Sequence, residues 1–185
     1  INFNGNVTSE DNLLTNNRGL LYGDSVFETV KILDGKILFV EDHYFRLMAS
    51  MRIVRMEIPM NFTMEYFQEQ IMSLAKADNL EKSSRARITI FRNQGGFYLP
   101  KDNTVSFLIQ ITALENAIYQ IEKENYEVEL YKDFFVTKHL LSTIKSSNRM
   151  INVTGSIFAD ENGYDNCLLI NDEKNVIEAL NGNLF

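Results

Sequence analysis

The stretch VFETVKILDGKILFV (26–40) decides the fold class. Two apolar runs flank Asp34-Gly35, the pair that best accepts positive φ at both central positions of a type I′ turn. A β-hairpin is therefore predicted. The residues that follow, EDHYFRLMASMRIVRM (41–56), change period. His43, Leu47, Met51 and Val54 fall on one helical face, and Glu41 and Asp42 suit the positive end of a helix dipole. Pro59 closes the segment. A hairpin running straight into a helix indicates an α+β chain rather than a doubly wound parallel sheet.

Working outward, residues 2–7 read as one short strand. Thr63 is placed to cap a helix over 64–77 whose buried stripe is Met64, Phe67, Ile71 and Leu74. ARITIFR (86–92) and TVSFLIQITAL (104–114) read as strands around the loop NQGGFYLPKDN. Residues 115–125 are polar, which places a domain boundary there: a small N-terminal α+β domain over 1–115 and a second unit over 116–185. In the second unit YEVELY (126–131) is a strand, 147–160 a helix, and CLLIND with EKNVIEAL a hairpin. That unit is short for burying a core of its own. The chain is therefore expected to be part of something longer.

Composition removes several classes of function. The net charge is −7, with no basic stripe, which disfavours nucleic acid as a partner. The single cysteine, Cys167, permits no internal disulfide, and in its apolar strand it reads as an inert core residue. A cytoplasmic protein is expected, and the sequons at Asn6, Asn61 and Asn152 read as chance matches. No apolar run approaches the roughly 20 residues of a membrane span. The two histidines, His43 and His139, lack metal-like spacing, so no metal site is expected.

Chemistry gathers around Lys145, in HLLSTIKSSNR, and Glu178, in VIEALNGNLF. An amine that can be held uncharged and a separately delivered carboxylate could together run an aldehyde cofactor. The amine would bond the aldehyde, and the acid would keep a proton on a pyridine ring. Arg46, three residues after His43, carries a fork suited to phosphate. The ordinary alternative for all three is a solvated surface charge.

The string RGLLYGDSVFETVKILDGKILFVEDHYFRL resembles the N-terminal signature of class IV aminotransferases, the fold-type IV pyridoxal-phosphate enzymes. IKSSNR and EALNGNLF resemble that family's lysine and glutamate segments, in the same order. The resemblance implies a small two-layer α/β domain followed by the start of a larger cofactor-binding domain. It implies pyridoxal 5′-phosphate as cofactor, Lys145 as the Schiff-base lysine and proton shuttle, Glu178 as partner of the ring nitrogen and Arg46 as a phosphate ligand. Asn181, Gly182 and Asn183 match a loop lining the cofactor, and Tyr22 and Phe27 match substrate-side positions. A homodimer acting on a small amino-acid substrate is also implied.

The string departs from the branched-chain enzymes at Met150, where they carry tyrosine. Lys145, Asn148 and Arg149 form a K-x-x-N-R pattern resembling 4-amino-4-deoxychorismate lyases, enzymes of folate biosynthesis. The loop RNQGG (92–96) resembles theirs too, but Phe97 stands where they carry arginine, and it joins the substrate-side candidates. Aminotransferase is the first expectation, lyase the alternative, and an inactive binding relic the third. The family continues beyond GNLF, so a product ending at Phe185 is expected to hold the cofactor poorly.

Overall fold

A computed structural model describes residues 2–7, 16–118, 120 and 125–184. Thr8 of the first sequon, residues 119 and 121–124 of the polar stretch 115–125, and the terminal Phe185 lie outside the described residues. The chain divides into two compact units, Ile1–Tyr119 with Ile144–Ser147, and Gln120–Thr143 with Asn148–Phe185.

The first unit is a six-stranded antiparallel sheet covered on one face by two helices. The strands are β1 (Asn2–Phe3), β2 (Asn6–Val7), β3 (Ser25–Leu33), β4 (Lys36–Ile37), β5 (Ser83–Arg92) and β6 (Val105–Ala113), in the order β2-β1-β6-β5-β3-β4. The helices are α1 (Arg18–Tyr22), a single short segment, and the two covering helices α2 (Val40–Ile53) and α3 (Met64–Ala77). Alternation along β3 sends Val26, Val30 and Ile32 into the core with Leu47, Met51, Phe67, Ile71 and Leu74. Each such side chain contributes about 1.5–3 kcal/mol on leaving water. Phe27, Thr29 and Lys31 take the other face of the strand.

The β3–β4 hairpin forms as expected, with φ of 47° at Asp34 and 74° at Gly35. Its second strand is shorter than the sequence suggests, because Phe39 turns left-handed at φ 54° and the chain enters α2. Residues 2–7 are two strands, not one: Asn4 and Gly5 both take positive φ and fold the segment back on itself. Helix α3 matches its expected span, and the Thr63 hydroxyl accepts from the Tyr66 N–H.

Helix α2 stops three residues before the expected end. Arg55 adopts φ 58°, and the Arg55 and Met56 N–H groups donate back to Arg52 and Met51. This is the bond pattern that usually needs glycine. Arginine tolerates it here because the buried guanidinium of Arg92 donates to the carbonyls of Val54 and Arg55. The short α1 was not anticipated. Asn17 caps it through the Leu20 N–H, and Gly23, at φ 65°, ends it.

The second unit is a β-α-β crossover with an added hairpin strand. β7 (Val128–Val136) runs parallel to β8 (Asn166–Asn171), α4 (Met150–Asn162) connects them, and β9 (Val176–Ala179) pairs antiparallel with β8. Tyr131, Ala159, Cys167 and Leu169 form its buried cluster. Gly155 lets α4 approach closely: a Cβ there would lie 2.7 Å from Leu180 and 3.3 Å from Tyr131. Burial raises the Cys167 thiol above its ordinary pKa, consistent with an inert core residue. Among the described residues no helix is long and apolar enough to cross a membrane.

Candidate functional site

Lys145 belongs to the first unit. Ile144 is buried in that unit's core, and Ser146 bridges to Val26. The Phe27 N–H donates to the Lys145 carbonyl at 2.8 Å, and the Ser147 N–H donates to the Ser25 carbonyl at 3.0 Å. Residues 144–147 thus run antiparallel along the start of β3, on the edge that β4 leaves uncovered. Two backbone bonds and a buried isoleucine fix the lysine's Cα, while its amine reaches the Phe27 ring, 5.5 Å from the centroid.

Arg87 shares that ring. Its guanidinium carbon lies 3.8 Å from the Phe27 centroid. Arg87 pairs across from Thr29, next in register to the Phe27–Thr89 pair, so the contact is a diagonal one on the same sheet face. Two cationic side chains therefore meet one aromatic ring. Arg87 escaped the sequence reading, although the alternation of ARITIFR places Arg87 and Thr89 on one face.

Arg46 is neither a solvated helix arginine nor a guanidinium without partners. Its Nε donates to Glu28 Oε1 at 2.5 Å and its Nη2 to Glu28 Oε2 at 2.8 Å. His43 Nδ1 meets the same Oε2 at 2.8 Å. Glu28 follows Phe27 on β3 but takes the helix-covered face, so consecutive residues of one strand anchor Lys145 and Arg46. Burial pushes the Glu28 carboxyl up, but the hydrogen bonds from His43 and Arg46 and the charge of Arg46 outweigh it. The carboxyl is held below its ordinary pKa. An acid at a core position between Val26 and Val30 was the signal that could have revealed this cluster.

Tyr22 and Phe97 belong to a separate grouping. Arg18 donates to the carbonyls of Gly95 at 3.1 Å, Phe97 at 2.6 Å and Tyr98 at 3.4 Å. Its guanidinium also lies 4.9 Å from the Tyr22 ring, which tilts against Tyr98 at 5.7 Å. The Phe97 side chain itself is exposed.

In the second unit, Glu178 on β9 is half-buried, with Arg149 Nη1 3.4 Å from its Oε1. Asn166 organises the turn after β9. Its Nδ2 donates to Asn181 Oδ1 at 2.6 Å, and its Oδ1 accepts from the N–H groups of Cys167 and Leu180. Gly182 packs over Ala179, and Asn183 is exposed.

Each unit carries group types that a phosphorylated pyridine aldehyde takes: in the first, the Lys145 amine on a fixed backbone and the half-exposed Arg46 guanidinium, and in the second, the half-buried Glu178 carboxylate. The Nη1 of that guanidinium has no partner among the described residues. Solved structures give the fold its class. The chain is similar to a branched-chain aminotransferase from Thermoproteus uzoniensis, with TM-score 0.80 and 18% identity, covering 96% of this chain and 61% of that one. It is also similar to 4-amino-4-deoxychorismate lyase from Pseudomonas aeruginosa, with TM-score 0.76 and 21% identity, covering 98% of this chain and 64% of that one. The architecture is thus that of the fold-type IV enzymes.

Residues 25–185 match the amino-transferase class IV family, and the chain belongs to it. Enzymes of this family use pyridoxal phosphate. A candidate branched-chain-amino-acid aminotransferase of Methanocaldococcus jannaschii is 26% identical over 167 residues, covering 90% of this chain and 57% of the relative. The chain therefore spans about three-fifths of the length of the proteins it matches.

Proposed function

We propose that the protein is a pyridoxal-phosphate-dependent aminotransferase that moves an amino group between an amino acid and a 2-oxo acid. The observation that carries this reading is the shared Phe27 ring, with the Lys145 amine at 5.5 Å and the Arg87 guanidinium at 3.8 Å. An amine that can carry a proton and a fork that can grip a carboxylate lie on one aromatic platform. A substrate bearing a carboxylate and an amine or oxo carbon has matching groups.

When bound, the cofactor supplies an electron-poor ring that takes up the electron pair left by bond breaking at the substrate's α-carbon. Lys145 would hold its aldehyde carbon and, once released, move a proton at Nζ. Glu178 would keep a proton on the ring nitrogen, and Arg46 would hold the phosphate. Asn181, Gly182 and Asn183 would line the ring, and Tyr22, Phe27 and Phe97 the substrate. Membership of the family supports a homodimer, which a mass measurement in solution tests.

One observation favours a second reading, 4-amino-4-deoxychorismate lyase. Arg149, from the K-x-x-N-R pattern, lies beside Glu178. Full-length protein with cofactor is given an amino acid and a 2-oxo acid. Amino transfer, and a visible cofactor band lost in Lys145→Ala, are expected. Pyruvate and 4-aminobenzoate released from added 4-amino-4-deoxychorismate, with no 2-oxo acid present, would replace the first reading with the second. Absence of the band altogether would leave only an inactive relic.

A further inference from the structure

Glu28 occupies a position that packing alone would give to valine or isoleucine. Its neighbours on that face of β3, Val26, Val30 and Ile32, are core residues, and its own side chain is 1% exposed. A buried carboxylate stabilises a fold no better than a hydrophobic residue of similar size, because desolvation offsets the attraction. If the pair existed to neutralise a buried arginine, Arg46 would be buried as well. It is 48% exposed. The glutamate side chain is sealed and the arginine side chain is half-exposed, so the constraint runs from Glu28 to Arg46.

The hydrogen bonds give that constraint a direction. Both Glu28 oxygens take the Nε–Nη2 edge of the guanidinium, and two parallel bonds fix its plane. His43 Nδ1 contacts both Glu28 Oε2, at 2.8 Å, and Arg46 Nη2, at 3.1 Å, closing a three-membered cluster. The Nη1 end is left without a partner among the described residues. An arginine on a helix otherwise samples many rotamers, and a ligand must stop that motion when it binds.

The geometry points to Glu28 as a positioning residue, braced by His43, that presents the Nη1 end of Arg46 to the phosphate of the cofactor. This rests on the cofactor reading above and assigns a role to a residue that would touch no cofactor. A competing effect has the opposite sign: Glu28 also carries a negative charge near the phosphate, and its removal alone would strengthen binding. The direction of the change decides between the two.

The measurement is equilibrium binding of pyridoxal phosphate and of pyridoxal to full-length protein, reported as the ratio of their affinities. The ratio isolates the phosphate and does not require turnover. Arg46→Ala is expected to collapse it. Glu28→Gln is expected to lower it about tenfold, the cost of ordering one long side chain, and to have no further effect in the Arg46→Ala background. Should Glu28→Gln not fold, Glu28→Asp keeps the charge but shortens the reach, and the same fall is expected. A ratio lost in Arg46→Ala but unchanged or raised in the Glu28 variant overturns the positioning role alone. A ratio unchanged in Arg46→Ala, or no binding by the parent protein, overturns the phosphate assignment and this inference with it.

Discussion

Asp24 and Glu28 stand four residues apart, and each anchors arginine, but the two clusters are built differently. Asp24 Oδ2 accepts from Arg18 Nε and Arg92 Nε, both at 2.9 Å. The remaining guanidinium groups are spent inside the fold. Arg92 donates to the carbonyls of Val54 and Arg55 and to Asn103, and Arg18 donates to the carbonyls of the 95–98 loop. Arg18 and Arg92 are 4% and 7% exposed, against 48% for Arg46. In the first cluster every donor has an internal acceptor, so the cluster holds the end of α2 and a loop in place. In the second the guanidinium keeps one end for something else. The same pair of residue types thus serves architecture when its cations are sealed and recognition when one is left open.

The largest test removes the anions in turn. Asp24→Asn leaves two buried arginines facing each other without their shared carboxylate, a change that costs about 3–5 kcal/mol. Glu28→Gln leaves an arginine that can turn to water and is expected to cost about 1–2 kcal/mol. Urea unfolding of the two variants measures both. Equal losses would show that exposure of the cation does not separate the clusters.

A loop reading comes next in size. Arg18→Lys keeps the charge but loses the fork that spans the Gly95, Phe97 and Tyr98 carbonyls, at about 1–2 kcal/mol. Phe97, Tyr98 and Leu99 are exposed, so chymotrypsin should cut there sooner in this variant. Arg46→Lys should leave the cutting rate unchanged. Faster cutting in both would mean that the open cluster also supports the loop.

The contrast also separates what could be read from the sequence and what could not. Helix α3 was legible because cap, stripe and period agree locally: Thr63, then Phe67, Ile71 and Leu74. The β3–β4 turn was legible because Asp34-Gly35 has few other conformational uses. The end of α2 was not legible. Its left-handed residue is Arg55, where glycine is the usual signal, and its stabilising partner Arg92 comes from a distant strand. At the site, Lys145 stood out through its string, but its docking on the edge of β3 depends on a pairing with Phe27 that no local pattern encodes. Arg46 was legible as a fork, whereas its brace required knowing that β3 turns Glu28 toward α2. Asp24, Arg18 and Arg92 carry no spacing rule at all, since a short helix, the connection after it and a distant strand bring them together.

Acidity offers a finer test. Glu28 is held below the ordinary carboxylate pKa, so its native form binds fewer protons than its unfolded form near that value. Its contribution should be complete above the ordinary range and be lost as pH falls through the lowered native value. The stability gap between parent and Glu28→Gln, about 1–2 kcal/mol at neutral pH, should therefore narrow toward zero in acid. A gap that persists well below the ordinary carboxylate range would mean that the glutamate acts through packing rather than through its charge.

Salt gives the smallest effect and the most direct comparison. At about 1 M the screening length falls to about 3 Å, but only charges that solvent reaches are screened. Arg46 is reached on its open end, while the Asp24 cluster is closed to ions. The cost of Glu28→Gln should shrink by about 0.3 kcal/mol between low and high salt, within the range of a solvent-exposed pair, and the cost of Asp24→Asn should stay constant. The variants share the same bulk salt effect on folding, so the difference between the two slopes isolates the open end of Arg46. Parallel slopes would mean that ions reach neither cluster. The 48% exposure of Arg46 would then lie along its aliphatic stem rather than at its charged end, and the guanidinium would have no free edge to offer a phosphate.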